Sequence, residues 1–486
     1  MAIGKAQSSH WHQKVLLAAT FAVLGTLAAF LLYGGKARVK QSSMMGRTPT
    51  GTAQLVSIEP LPAMEGEMCQ WAPVSATMSL RAALHQERLA LLSQGVGGQA
   101  AQDAPNEATR TEAAQRKHLR MIRDPYSAFA SVAVDPIRNE VVMTDENLFN
   151  ILVYDRLENT APRATMSEPK RIIGGVDTKI EFQCALYIDP KSGDIYAVNN
   201  DSVNTLVVFS RQAKGNVLPD RELETPHGTF GIAVDEEREE MFMAVQHDNA
   251  VVVFRKMAEG EESPIRLLQG DQTLLADPHG IALDLKTDRM FVTNQGSFHR
   301  HRPGPALEGG MMHSIQGKSN WPLSWGNAVP GSGKMLPPSI TVYPRGASGD
   351  TPPLQVIQGP KTQMNWPTAL AIDPERGELY VANDMGDSIL VFSTSANGDV
   401  APVRVMKGPR TLIKNPTGVF LDEKNGELWV ASFGNHTATV HKATASGDTP
   451  PLRVIRSSPL GEPFLGMGNP HPVAYDTKRE EILVPN

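Results

Sequence analysis

His279, in Pro278–Gly280, and His471, in Asn469–Pro472, each stand five residues before an aspartate, Asp284 and Asp476. Imidazole nitrogens are good ligands for zinc-like ions, and two of them plus a third donor leave an open position where water can be activated. His227, or a histidine of the segment 297–338, is the candidate third donor. Such a set would make a metal-dependent hydrolase or lyase. The competing reading is ordinary hydrogen bonding, because histidine is common at strand ends and zinc needs its nitrogens at about 2.1 Å.

Other residues of the same neighbourhood could bind rather than react. His247, Asn199, Asn294 and Asn383 follow apolar runs at matching places, and the segment 297–338 carries His299, His301, His313, Trp321 and Trp325 in a Gly-, Pro- and Ser-rich stretch. Exposed tryptophans suit a surface that docks protein better than one that activates water. Cys69 and Cys184 are the two cysteines. One bridge between them or two separate thiols are both open, and no CxxC pair is present for a structural zinc. Gly331–Lys334 reads GSGK but lacks the glycine spacing, the following Ser or Thr and the strand-to-helix setting of a phosphate loop. No HExxH, EF-hand loop or G-x-S-x-G elbow occurs.

The elements that must position these residues come from a repeat. The strings SVAVDPIRNEVVMT, ALYIDPKSGDIYAV, GIAVDEEREEMFMA, GIALDLKTDRMFVT, ALAIDPERGELYVA, GVFLDEKNGELWVA and PVAYDTKREEILVP share one form: apolar strand, Asp, polar turn, apolar strand. Their aspartates are Asp135, Asp189, Asp235, Asp284, Asp373, Asp422 and Asp476. The spacings are 54, 46, 49, 89, 49 and 54, so the period is near 50 and the fourth copy carries an insertion of about 40 residues, 297–338. A third β-rich run follows in six copies (ILVYD, LVVFS, VVVFR, ITVYP, ILVFS, ATVHK), then a Gly/Pro turn and a fourth short strand such as LQVIQG or VRVMKG. Four short antiparallel strands, none able to bury its own faces, make the blade of a β-propeller. The recurring Asp is read as structural, its carboxylate accepting backbone N–H bonds of the turn.

Seven copies predict an all-β, seven-bladed ring, with six blades and one extra copy as the alternative. The last copy ends at Asn486 after two strands, so a seven-bladed ring would need outer strands from the N-terminal side. Ala53–Pro60 and His118–Pro125 are the candidates. In a propeller the first strand of each blade lines the channel. Position five before each Asp then forms the mouth: Ala130, Cys184, Phe230, His279, Thr368, Thr417 and His471. The insertion rises from this same face.

Composition agrees with such a fold. The 486 residues include 41 glycines and 36 prolines, an excess of turn formers that argues against an all-helical chain. A net charge of −6 offers no basic excess for nucleic acid. Val15–Tyr33 is an uncharged run of 19 residues between Lys14 and Lys36, long enough to span a bilayer and longer than the usual core of a cleaved signal. Residues 1–36 are therefore read as a membrane anchor with its span at 15–33. Residues 37–117 are read as a linker holding the candidate closing strand 53–60 and one helix at 77–92, and residues 118–486 as the propeller. Lysines and arginines on both sides of the span do not favour export of the C-terminal side.

The chain resembles the NHL and lactonase-like (quinoprotein-type) propeller repeats in Gly231–Asp235 (GIAVD), Glu378–Asp384 (ELYVAND) and Ser388–Phe392 (SILVF). The resemblance covers about residues 118–486 and implies the propeller fold. It also implies a periplasmic location, since many bacterial members are exported. For activity it implies little, because these families include lactonases, lyases and many binding or scaffold proteins. The calcium chemistry of the lactonases needs carboxylates at the channel mouth, and the seven mouth positions hold none. The sequence reading is thus a membrane-anchored, non-catalytic binding or scaffold subunit with a protein partner in a membrane complex and no cofactor. The alternative is the metal-dependent enzyme.

Overall fold

The structure is a computed structural model that describes residues 124–200, 203–298, 301–302, 327–328, 333–464, 474–476 and 481–483. The span 15–33, the strand 53–60, the helix 77–92, Cys69, His299, His313, Trp321, Trp325 and His471 lie outside those residues. Among the described residues no helix is long and apolar enough to cross a membrane.

Six four-stranded antiparallel sheets follow one another along the chain. Their inner strands are Phe129–Asp135, Gln183–Ile188, Thr229–Asp235, Pro278–Asp284, Pro367–Asp373 and Pro416–Asp422. Each inner strand pairs with the second, the second with the third and the third with the outer one, and blade 4 admits the insertion between its second and third strands. Because a blade is covered on both faces by its neighbours, its middle strands are apolar throughout rather than alternating. Val141, Val142 and Met143 in blade 1, and Ala250 to Phe254 in blade 3, are all buried. Fully burying a Val, Met or Phe side chain contributes roughly 1.5–3 kcal/mol.

The ring has six blades, not seven. Six apolar clusters sit between successive blades, and the last joins Phe129, Val132 and Met143 of blade 1 to Trp429, Ala431 and Val440 of blade 6. Blades 1 and 6 each draw all four strands from consecutive chain, so no outer strand has to be borrowed and no gap remains for a seventh sheet. The seventh copy is the two-stranded hairpin Ala474–Asp476 with Glu481–Leu483.

Neighbouring blades are also stitched at their rims. In each of five junctions the outer strand pairs with a glycine in the next blade's outer turn: Ile173 with Gly215, Leu223 with Gly260, Leu268 with Gly349, Ile357 with Gly398 and Met406 with Gly447. At the sixth junction the loop of blade 1 does the same work, where Thr160 N donates to Val454 O at 2.8 Å and Val454 N to Asn159 Oδ1 at 3.0 Å.

The recurring aspartates act as the sequence suggests. Oδ1 of Asp135 accepts from Ile137 N and Arg138 N, Asp189 from Lys191 N and Ser192 N, Asp235 from Glu237 N and Arg238 N, and Asp373 from Glu375 N and Arg376 N. The second oxygen takes a cation, often from the following blade: Lys256 lies 2.7 Å from Asp189, Arg345 pairs with Asp235, and Arg156 is 3.5 Å from Asp422. Lys256 and the backbone amides hold the Asp189 carboxyl below the usual range against the opposing effect of burial. Within blades a second lock ties the start of the second strand to the outer strand, in the bidentate pairs Arg171–Glu140, Arg266–Glu240, Arg404–Glu378 and Arg453–Glu427.

Candidate functional site

The inner strands enclose a cavity of about 280 Å³ along the axis. Cys184, Phe230, His279, Thr368 and Thr417 line it, as the register predicts, with Ser131 beside the expected Ala130. The rest of the wall is largely aliphatic, including Val132, Ile232, Ala282, Leu370 and Val419, with the rings of Tyr187 and Phe420, and no carboxylate lines it among the described residues. The inner strands approach very closely. A Cβ on Gly231 would meet the His279 carbonyl oxygen at 2.3 Å, and one on Gly280 would meet that of Thr368 at 2.3 Å. Thr293 Oγ1 uses this proximity, accepting from Gly280 N at 2.7 Å and donating to Thr368 O at 2.8 Å.

His279 is buried, with Phe230 against it at 4.1 Å between ring centroids. Its Nδ1 lies 3.0 Å from the Asp277 carbonyl oxygen and 3.6 Å from that residue's carboxylate. Burial pushes its pKa below the ordinary imidazole value, the Asp277 charge opposing and His247 adding to the shift. The predicted candidates His227 and His247 belong to the same arc of the mouth: their rings stack at 5.0 Å, and His227 Nδ1 is 3.1 Å from Asn204 Oδ1. Three imidazoles thus gather on the side of blades 3 and 4. This grouping was hidden in the sequence because the ladder that folds His247 beside His227 has no motif of its own. Among the described residues no set of three or more His, Cys, Asp or Glu is placed to hold a metal ion. The predicted pair of His279 with His471 falls partly outside the described residues.

The three asparagines are spent inside their blades. Asn199 Oδ1 accepts from Glu181 N at 3.0 Å while Nδ2 donates to Lys179 O and Thr205 Oγ1, both at 2.9 Å. Asn294 binds Ala276 N and Thr341 Oγ1, and Asn383 binds Asn365 N and Ser388 Oγ, in the same way. Each staples the strand-entry loop to the end of the second strand. Asn200, one residue on, turns to the mouth instead and its Nδ2 lies 3.4 Å from Cys184 Sγ. A disulfide to Cys69 involves a residue outside those described.

The insertion leaves and returns as an antiparallel ribbon, with Ser297–Phe298 paired to Lys334–Met335 and His301–Arg302 to Asn327–Ala328. At its base a groove of about 310 Å³ is lined by Leu274, Leu275, Phe298, Lys334 and Leu336. Around the same face Val176 is 90% exposed, and Leu274, Met335, Met385, Trp366, Leu148 and Phe149 are exposed too.

No family model matches this chain. No curated protein matches it either. Among solved structures a chain of the Kuenenia stuttgartiensis hydrazine synthase is similar, 12% identical, covering 68% of this chain and 99% of that one with a TM-score of 0.43. The propeller assignment rests on the strand pairing of this chain itself.

Proposed function

We propose that this propeller is a non-catalytic binding or scaffold subunit, held at a membrane by residues 15–33, whose insertion-bearing face docks a protein partner of a larger membrane assembly. The observation that carries the reading is the apolar rim of that face. Val176, Leu274, Trp366 and Met385 in four loops and Met335 on the insertion ribbon stand exposed around one mouth, and apolar side chains ringed by polar ones mark contact surfaces. The polar candidates nearby support it from the other side, because Asn199, Asn294 and Asn383 use their hydrogen bonds to hold the blades. An anchor would raise the effective concentration of the propeller beside a membrane partner.

Extraction in mild detergent, followed by identification of co-purifying chains, tests this. A stable partner should come with the wild type and be lost in a Val176→Asp, Met385→Asp double variant that still melts cooperatively. Removal of residues 1–36 should release the protein from the membrane fraction. A protein that extracts alone would overturn the reading.

A further inference from the structure

Two polar atoms of residues that line the cavity, His279 Nε2 and Thr417 Oγ1, have no hydrogen-bond partner among the described residues, and Thr417 Oγ1 is buried as well. His279 is 4% exposed and lines the cavity. Its Nδ1 faces the Asp277 carbonyl oxygen, which can only accept, so Nδ1 carries the hydrogen. Burial favours the neutral ring, and Nε2 then bears a lone pair that no described residue's donor reaches. Thr417 Oγ1, on the lining two blades away, is a buried atom without a partner. Buried polar atoms in native folds are satisfied, by water or ligand where the protein offers nothing.

The surroundings narrow the chemistry. Neither a carboxylate nor a Lys or Arg is among the described residues that line the cavity; the Asp277 carboxylate stands on the Nδ1 side of the His279 ring at 3.6 Å and is not part of the lining, so a charged ligand meets no counter-charge on the described wall. The rings of Phe230, Tyr187 and Phe420, aliphatic side chains, and Ser131, Cys184 and Thr368 complete the lining. The volume of about 280 Å³ suits a molecule of on the order of ten non-hydrogen atoms.

We propose that the channel mouth binds a small uncharged alcohol or phenol, whose hydroxyl donates to His279 Nε2 and whose apolar body lies along Phe230. Thr417 Oγ1 offers a second hydrogen bond to a polar group at the other end. This site is in the bore and is independent of the docking rim.

The test uses the full chain in detergent, with phenol, toluene, benzoate and hydroquinone as probes and saturation-transfer NMR titrations as the readout. Phenol should bind saturably and about fivefold tighter than toluene, the worth of one net hydrogen bond, and benzoate should not bind. In His279→Leu the phenol-to-toluene preference should vanish. Should that variant fail to fold, Thr417→Val keeps the question answerable: it should reduce the affinity of hydroquinone to that of phenol. No saturable phenol binding, a preference that survives in folded His279→Leu, or hydroquinone binding no tighter than phenol in the wild type with His279→Leu unfolded would each overturn the proposal.

Discussion

Asp124 Oδ2 lies 3.1 Å from His436 Nε2, with both side chains buried, so the chain entering blade 1 is fastened to blade 6. The other ring nitrogen of His436 lies 2.9 Å from the Ser127 carbonyl oxygen, two residues before the first inner strand. Ser457 Oγ donates to that same oxygen. Many rings are closed by strands exchanged between chain ends; here a histidine with two acceptors, plus the rim contacts of Asn159 and Thr160, does the joining.

Removing one partner of a buried pair costs about 3–5 kcal/mol, and here Asp124 keeps the Tyr126 N–H on Oδ1 at 3.0 Å, which places the loss at the low end of that range. His436→Ala should therefore lower unfolding stability by about that much, and Asp124→Asn by less, since the amide keeps an oxygen that can still accept. The two effects should couple by more than about 1 kcal/mol in a double-mutant cycle followed by chemical denaturation. Strict additivity would show that the pair does not close the ring.

His441 is buried on the third strand of blade 6, where the matching places of the other blades hold Tyr154, Phe209, Phe254, Tyr343 and Phe392. Its Nε2 is 3.0 Å from Thr439 Oγ1, while Nδ1 has no partner. Burial pushes its pKa down to about 4. A depressed histidine stabilises the fold above its unfolded pKa of about 6.5 and loses that contribution as pH falls toward 4, a change of about 3 kcal/mol. His441→Phe, the residue its own repeat prefers, should raise the melting temperature at pH 7 and abolish the loss between pH 6.5 and 4. An unchanged acid slope in that variant would refute the assignment.

Asp384 acts in the opposite sense. Burial, with the Asp387 charge adding to it, raises its pKa to about 6, while Asn415 Nδ2, donating at 3.0 Å, pulls the other way. A raised carboxyl stabilises the fold below its unfolded value and gives that contribution up as pH climbs from about 4 to 6, roughly 3 kcal/mol in all. Asp384→Asn keeps an oxygen for Asn415, so it should be more stable than the wild type at pH 7 and lack the decline between pH 4 and 6. Because Asp384 and His441 slope in opposite directions over this range, each single variant should expose the trend of the other. Denaturant midpoints measured at half-unit steps of pH decide it, and a curve parallel to the wild type would exclude Asp384 as the source.

Strand order, the aspartate turns and the mouth positions Cys184, Phe230, His279, Thr368 and Thr417 were legible because each rests on local pattern: apolar runs, a turn acid, a fixed offset. Blade number was not. The hairpin at Ala474–Asp476 has the same local form as a true inner pair, and only packing of Phe129 against blade 6 decides that the wheel is already full. The Glu–Arg locks did leave a signal, an acid at the start of the second strand and an arginine 26 residues later in three blades. It is easily passed over because isolated charges read as solvated surface. The approach of His227, His247 and Phe230 to His279 depends on how two blades lean together, which no single repeat encodes.

The glycines of the inner strands carry that leaning. Neither Gly231 nor Gly280 has a positive φ, so backbone freedom does not explain them; contact does. A methyl at Gly280 would sit 2.3 Å from the Thr368 carbonyl oxygen and 3.0 Å from Thr293 Oγ1, the atom that ties blade 4 to blade 5. Gly346, in the outer turn of blade 4, has open space where its Cβ would be. Gly280→Ala should then cost about 1–3 kcal/mol through overpacking and widen the bore on the His279 side, whereas Gly346→Ala should be neutral or stabilise by about 0.5 kcal/mol through the unfolded chain. Thermal unfolding of the two variants side by side checks this. Equal effects from both would mean that the inner strands have room to part, and that the narrow mouth is not held by their contact.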